Sequence, residues 1–396
     1  MHPVRSGLLP ATHLIALTGL LGVAGAACLT AETIDPPAPD GARSLNLVEA
    51  GDRLLLSWIQ PSDDESSLVF ASFDGERWSA VQEIARGSSL LVNRADVPEL
   101  AVAADGTMHA HWLETMGENS HAYGLRSARS IDGGATWERL GWLHDDESAV
   151  EHGFVSHAAG TSGRVVAFWL DGRTMPENGD TQLRVAALGA SGPPDAEVLD
   201  DRVCECCSTD AAVTADGPLI VYRDRSQGEI RDISVVRRTA EGWSEPASIH
   251  EDGWHIEGCP VNGPAVSAQD QTVAVAWYTA AEPGPRVQLA FSADAGVTFG
   301  SAIVVDGGRP RGQVDVVMGE NGATVVWLRR EDGATEVVWR HVTTSGKAGP
   351  VQRVGPADGA RLSGYPRLGR AGGQIVAVWG EVSETPRLRA VRLVSN

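Results

Sequence analysis

A short pattern that recurs seven times constrains the fold of this 396-residue chain more than any other feature. Each copy consists of a turn, an alternating apolar run and an aromatic residue, as in "GRVVAFWLD" and "QTVAVAWYT". The aromatic residues of the seven copies are Trp58, Trp112, Trp169, Tyr222, Trp277, Trp327 and Trp379. Their spacing of roughly fifty to fifty-seven residues is the signature of a repeat architecture.

Further β-like runs accompany most copies, for example "LAVAADG" before the aromatic-bearing run and "YGLRSARS" after it. About fifty residues that hold four short strands are typical of one blade of a β-propeller. Apolar residues alternate with the period of two that packed strands show. The sequence therefore predicts an all-β fold, a β-propeller of seven four-stranded blades, with six blades as the alternative if the first copy is irregular.

The seventh copy is incomplete, because "PRLRAVRLVSN" reaches the last residue after three strands. We expect the segment near residues 31–34 to supply the missing outer strand and to close the ring. Closure would hide strand edges that otherwise invite aggregation.

The N-terminus has the composition of an export signal: Arg5 precedes an apolar run that ends in small residues. Cleavage at Ala24-Gly25-Ala26 and lipidation of Cys28 are alternative interpretations of its end. The predicted domains are a signal peptide at 1–27, a Pro-rich tether at 28–41 and the propeller at 42–396. We therefore expect an exported protein, either in the periplasm or anchored to the outer membrane as a lipoprotein.

The formal net charge of −20 limits the partners of the chain. Nucleic acids and anionic membrane surfaces require a basic face, so both are excluded as bulk partners. Membrane contact is expected only through the lipid anchor, and the protein is expected to be a monomer. Lys347 is the single lysine, so nearly all of the positive charge is arginine.

Two segments share the pattern S-x-D-x-G-x-T-[WF]: "SIDGGATW" at 130–137 and "SADAGVTF" at 292–299. The Asp is expected to hydrogen-bond the backbone of its own turn, while Gly takes the left-handed position. With these motifs, residues 40–396 resemble the Asp-box (BNR-repeat) β-propellers of the sialidase superfamily. "CECC" and "GCPVNGP" narrow the resemblance to a bacterial exported, sialidase-like branch.

The resemblance implies sites as well as a fold. Sialidases of the family hold a substrate carboxylate with three arginines and use a Tyr nucleophile, a Glu helper and an Asp acid/base. In this chain the corresponding candidates are Tyr365, Glu229 and Asp171. The first blade lacks the family's "FRIP"-like motif, and Arg43 is the nearest arginine.

Polar residues on loops of one propeller face predict a binding site at the axial mouth. The candidate ligand-binding residues are Arg173, Arg223, Arg231, Arg311, Arg330, Arg367 and His152. A glycan or an anionic small molecule is the expected ligand, and a solvated rim is the structural alternative for each residue. An exo-α-sialidase-type glycoside hydrolase is the enzyme alternative.

Four cysteines lie in loops that precede the fourth and fifth repeats: Cys204, Cys206, Cys207 and Cys259. Export favours two disulfides, one between blades four and five and one inside "CECC". A periplasmic copper or zinc site is the alternative, with His255 as an extra ligand, and no other cofactor is expected. A redox-active pair is a third interpretation, although no helix N-terminus is present to lower a thiol pKa.

Overall fold

The computed structural model describes residues 1–2, 32–117, 121–160, 163–177, 179–189, 193–357, 365–381 and 385–393. Cys28 and all but two residues of the predicted signal peptide lie outside the described residues. Among the described residues no helix is long and apolar enough to cross a membrane. A 3-10 turn at Met175–Glu177 is the helix that this part of the chain contains.

The described residues form 29 strands in seven antiparallel sheets, and each sheet is one blade. The first strands of neighbouring blades contact one another around a central axis. The prediction of seven blades is confirmed. The six-blade alternative is wrong, because the first repeat forms a regular four-stranded sheet.

The strands are assigned to blades in chain order. Blades one to three contain β2 (Arg43–Ala50), β3 (Arg53–Pro61), β4 (Ser66–Phe73) and β5 (Gln82–Gly87); β6 (Glu99–Val102), β7 (Met108–Thr115), β8 (Tyr123–Ser130) and β9 (Glu138–Trp142); β10 (His152–Ala159), β11 (Val165–Asp171), β12 (Gln182–Ala187) and β13 (Glu197–Asp200). Blade four contains β14 (Asp210–Thr214), β15 (Gly217–Arg223), β16 (Ile233–Thr239), β17 (Gly242–Trp243) and β18 (Ala247–His250). Blades five and six contain β19 (Ala265–Gln269), β20 (Thr272–Thr279), β21 (Arg286–Ser292) and β22 (Ile303–Asp306); β23 (Pro310–Gly319), β24 (Gly322–Glu331), β25 (Ala334–Thr343) and β26 (Gln352–Pro356). Blade seven contains β27 (Arg367–Ala371), β28 (Gln374–Glu381), β29 (Arg387–Leu393) and β1 (Glu32–Thr33).

The N-terminal strand closes the ring, as the incomplete seventh repeat predicts. Strand β1 pairs antiparallel with β29, so residues 32 and 33 complete the last blade. After β1 the chain keeps two further backbone hydrogen bonds to blade seven: the Ile34 amide donates to the Ala390 carbonyl at 2.9 Å, and the Gly41 amide donates to the carbonyl of Pro386, just before β29, at 2.7 Å. This part of the Pro-rich segment therefore belongs to blade seven.

The repeated aromatic residues pack between blades. Trp327 on β24 is fully buried in a cluster that contains Ala274 and Ala276 of blade five, together with Val325 of its own blade. The small residues of one sheet face the indole of the next, so each sheet covers its neighbour's apolar face. This is why the pattern needs one large aromatic residue per repeat.

The two S-x-D-x-G-x-T turns have the hydrogen bonds that their sequence predicts. Asp132 accepts from the Thr136 amide at 2.9 Å, and Asp294 accepts from the Thr298 amide at the same distance. Gly134 has a φ of 90°, a left-handed conformation that favours glycine. Both segments therefore act as turns of the fold.

Candidate functional site

The innermost strand of each of the seven blades has one residue at an equivalent position of the repeat. This residue pairs with the residue that precedes the repeated aromatic on the second strand of the blade. Glu99, for example, pairs with His111, which precedes Trp112. The seven residues at this position, the axial ring, are Asn46, Glu99, Ser156, Asp210, Ala265, Asp315 and Arg367. Equivalent positions of similar blades face one axis, so the ring gathers residues that are far apart in sequence.

The axial ring borders a cavity of about 400 Å³, which six of its members, all except Ala265, help to line. Further along the inner strands the lining includes apolar residues, among them Val102, Val213 and Val317. Polar residues continue beside them, namely Glu49, His157 and Ser267, so the cavity presents polar and apolar groups together. Such a combination suits a small ligand that has both polar and apolar faces.

Side chains of the ring also join neighbouring blades. Asp210 accepts from the Val266 amide at 2.7 Å, and Asp315 accepts from the Leu368 amide at 2.7 Å. Asn46 donates its side-chain amide to Glu99. These bonds hold the polar groups in place before any ligand arrives, which lowers the entropy cost of binding.

Burial changes the protonation of the ring. It raises the pKa of Glu99 to about 8, against the opposing effect of Arg367, and raises the pKa of Asp210 to about 7. The pKa of Asp315 is raised for the same reason. Burial likewise raises the pKa of Asp96, which also lines the cavity, to about 8. At neutral pH the carboxyl groups of Glu99, Asp210 and Asp96 can therefore donate hydrogen bonds as well as accept them.

We expect the stability of the protein to depend on pH through Glu99. Its pKa is higher in the folded than in the unfolded chain, so its stabilising contribution is complete below about pH 4 and is lost as the pH rises through 8. Between pH 6.5 and 8.5 the free energy of unfolding of the wild type should fall more steeply than that of Glu99→Gln, by up to about 1.4 kcal/mol per pH unit. Chemical denaturation of both proteins across this range measures the difference, and the comparison cancels other groups, Cys204 among them. If the free energies of unfolding of the two proteins changed in parallel with pH, the predicted role of Glu99 would be contradicted.

Asp171, His152 and Arg173 form a buried polar cluster in blade three. Asp171 is completely buried, accepts from Trp169 at 2.9 Å and from Arg173 at 2.8 Å, and lies 3.3 Å from His152. Burial alone would raise the pKa of Asp171, but hydrogen bonds from these neighbours hold it well below its usual range. His152 is also completely buried and stacks on His144. The cluster holds the β11–β12 loop in place. The Asp171 carboxylate is already engaged by these neighbours, so it is not available to donate a proton to a ligand.

Arg223 is a buried structural residue. It is 1% exposed and donates to the carbonyl oxygens of Asn262 at 2.8 Å, Arg231 at 2.6 Å and Tyr278 at 2.8 Å. Its guanidinium also lies over the Trp254 ring. These contacts join the end of β15 to blade five, so its donors are already occupied.

Glu229 lies in an ion-pair network next to the cysteines. It accepts from Arg202, Arg225 and Arg231 at 3.0 to 3.1 Å. The pKa of Glu229 is lowered to about 2, chiefly by its hydrogen bond from Arg225. Arg202 also belongs to this network, although it was not among the predicted site residues.

The remaining predicted residues are dispersed. Tyr365 is buried at the start of blade seven beside Arg94, and burial raises its pKa. Arg311 and Arg330 are exposed on blade six. Of the seven predicted ligand-binding residues, Arg367 and no other lines the axial cavity in the part of the chain that is described. The three candidate catalytic residues are not brought together either, since no hydrogen bond joins any two of them in the described chain.

The cysteines form one disulfide and one thiol pair. Cys206 is bonded to Cys259, which links the loop before β14 to the loop before β19, as the prediction of a bridge between blades four and five requires. The predicted second disulfide is wrong: Cys204 and Cys207 are free thiols whose Sγ atoms lie 3.0 Å apart. The Sγ atoms of Cys204, Cys206 and Cys207 lie within 4.8 Å of one another, close enough to hold a soft metal ion if the disulfide were reduced.

Most of the axial ring was not predicted from the sequence, including Asn46, Glu99, Asp210 and Asp315. A signal was nevertheless present in the sequence. Each of these four residues lies seven positions before the first or second residue of the apolar run that carries the repeated aromatic. Aligning the repeats on their aromatic residues would have placed Asn46, Asp210 and Asp315 in one column, twelve residues before the aromatic, with Glu99 one position away at thirteen.

No family model and no curated protein matches this sequence. Among solved structures, it is similar to an ulvan lyase of polysaccharide lyase family PL25 bound to -[GlcA(1-4)Rha3S]-, with 11% identity over 91% of this chain and 96% of that chain and a TM-score of 0.58. Another structure of a PL25 ulvan lyase gives 12% identity, the same coverage and the same TM-score. A Hadza microbial sialidase gives 16% identity over 72% of this chain and 63% of that chain, with a TM-score of 0.45. At such identities the similarity to the ulvan lyase shows the fold alone.

Proposed function

We propose that this protein is a glycan-binding propeller whose binding site is the axial cavity. The observation that carries the proposal is the axial ring, which brings carboxyl, amide, hydroxyl and guanidinium groups from six blades to one cavity. The hydroxyl groups of a sugar form hydrogen bonds with carboxyl, amide, hydroxyl and guanidinium groups, while the apolar faces of the sugar ring pack against nonpolar residues. The cavity of about 400 Å³ lies within the roughly 300–1,000 Å³ typical of small-molecule sites.

The charges of the ring favour a neutral hydroxylated ligand over an anionic one. Glu99, Asp210 and Asp315 supply three carboxyl groups, whereas Arg367 is the ring's one guanidinium. Ionisation of these carboxyl groups is already costly because they are buried. A negatively charged ligand beside them would make their ionisation more costly still, so an anion is disfavoured. We therefore narrow the expected ligand from a glycan or an anion to a neutral saccharide.

The similarity to sialidase-superfamily propellers and to an ulvan lyase supports a saccharide as the first ligand class to test. Hydrolysis through Tyr365, Glu229 and Asp171 is not supported, because no hydrogen bond joins any two of these residues in the described part of the chain. We propose that the protein acts outside the cytoplasm, because the sequence predicts an export signal that ends near Cys28, the candidate lipidation site. The mass of the purified mature protein tests this placement, since a diacylglycerol on Cys28 adds a defined increment.

Arg367→Gln is expected to weaken saccharide binding at least tenfold. This is a loss of about 1.4 kcal/mol, the effect of removing a charged hydrogen-bond donor from the cavity. Calorimetric titration of the purified protein with a panel of neutral mono- and oligosaccharides measures the dissociation constants. Arg370→Gln is the matched control, because Arg370 is on the same strand, does not line the cavity and should bind as the wild type does. The proposal fails if no saccharide binds, or if both variants bind equally well.

A further inference from the structure

The four cysteines of the propeller face are arranged in series. Cys204 Sγ lies 3.9 Å from Cys206 Sγ and 3.0 Å from Cys207 Sγ, and Cys206 is in turn bonded to Cys259. Cys204 and Cys207 are each 1% exposed, whereas Cys259 is on the surface. A buried thiol pair is thus in contact with one end of a disulfide whose other end faces solvent.

The surroundings of Cys204 favour its thiolate. The Sγ atoms of Cys204 and Cys207 are joined by a hydrogen bond at 3.0 Å, and the pKa of Cys204 is lowered to about 6, first by its interaction with Cys207 and further by Arg223 and Arg231. Arg231 Nη1 lies 3.3 Å from Cys204 Sγ. Burial and the neighbouring thiolate raise the pKa of Cys207, so it remains a thiol. Two arginines thereby provide the positive environment that a helix N-terminus provides in other reactive cysteines.

We propose that Cys204 is the nucleophile of an internal thiol–disulfide exchange that moves the disulfide from Cys206–Cys259 to Cys204–Cys207. The geometry carries the proposal, because the attacking sulfur, the disulfide and a second thiol are adjacent. The exchange is independent of saccharide binding, since none of the four cysteines lines the axial cavity.

The exchange takes two steps and needs no external oxidant or reductant. The Cys204 thiolate attacks Cys206 Sγ, the Cys206–Cys259 bond breaks, and Cys259 leaves as a thiolate that takes a proton from water. Cys207 then attacks Cys204, and its proton passes to the departing Cys206. One disulfide is present before and after, but the free thiols are now Cys206 and the exposed Cys259.

The product state exposes a reactive thiol to other molecules. Cys259 can attack a disulfide in a second molecule, forming a mixed disulfide while one thiolate of that molecule leaves. The substrate class of the site is therefore a disulfide-bearing protein or small molecule.

Alkylation followed by peptide mass mapping tests the exchange. The purified full-length protein is incubated with iodoacetamide at pH 7.5 without reductant, and labelled and disulfide-linked peptides are quantified over time. In the wild type we expect label to accumulate on Cys206 and Cys259, together with a Cys204–Cys207 disulfide. In Cys204→Ser labelling of Cys259 should be at least tenfold slower, with an unchanged circular dichroism spectrum.

Cys207→Ser separates the two steps. This variant should stop at the Cys204–Cys206 disulfide, so that label is found on Cys259 and is absent from Cys206. The proposal is overturned if the wild type carries label on Cys204 and Cys207 with Cys206–Cys259 intact. It is equally overturned if Cys259 is labelled as fast in Cys204→Ser as in the wild type.

Discussion

Arg223→Met should lower the free energy of unfolding by about 3–5 kcal/mol, the cost of removing one partner from a buried polar network. The methionine side chain fills similar space but leaves the carbonyl oxygens of Asn262, Arg231 and Tyr278 without their donors. These carbonyls lie where blades four and five meet, so the loss weakens the contact between the two blades. Urea denaturation followed by tryptophan fluorescence measures the change.

Two variants define what the Arg223 result means. Arg330→Met replaces an exposed arginine from the same predicted ligand-binding set and should change the free energy of unfolding by less than about 0.5 kcal/mol. Arg223→Lys keeps the charge, but its compact ammonium group does not reproduce the planar guanidinium fork whose separate nitrogens reach the three carbonyls, so it should recover only part of the loss. If Arg223→Met were as stable as Arg330→Met, the structural role of Arg223 would be refuted.

Deleting residues 1–41 is expected to destabilise the propeller by about 3–5 kcal/mol relative to a chain that begins at residue 32. The longer deletion removes β1 and the backbone hydrogen bonds from Ile34 to β29 and from Gly41 to Pro386, each worth roughly 0.5–1.5 kcal/mol. It also removes the Ile34 carbonyl that accepts from Trp78 at 2.6 Å, and the apolar contact of Ile34 with the core between blades seven and one. Thermal unfolding of the two chains gives the difference.

The deletion should also change the association state. Without β1, strand β29 becomes an open edge that can pair with another molecule. Sedimentation velocity should therefore show dimers or larger species for the chain that begins at residue 42, and a monomer for the chain that begins at residue 32. Equal stability and equal sedimentation of the two chains would show that β1 does not close the ring.

The candidate site was predicted less well than the fold. Arg173, Arg223 and Arg231 were predicted to face a ligand because their loops lie at one end of the propeller. Loop position does not reveal whether an arginine has partners inside the protein. Arg223 is occupied by carbonyls that lie up to 55 residues away in sequence, which no local pattern indicates.

The sequence by itself determined the all-β fold, the seven blades and the strand that completes the last one. Strand period and turn chemistry act between residues close in the chain, and the aromatic residue recurs once in every repeat, so the sequence records all three directly. The incomplete seventh repeat likewise implies a closing strand, because a blade of three strands leaves an edge unpaired.

Tertiary structure alone decided which polar side chains meet. Asp210, Asp315 and Arg367 come from different blades, and only closure of the ring places them around one cavity. In the same way, Cys206 bonds to Cys259 rather than to its neighbours, because the loops before β14 and β19 lie side by side. The physical reason is that sequence specifies local geometry, whereas burial, pairing and protonation depend on groups that folding brings from other blades.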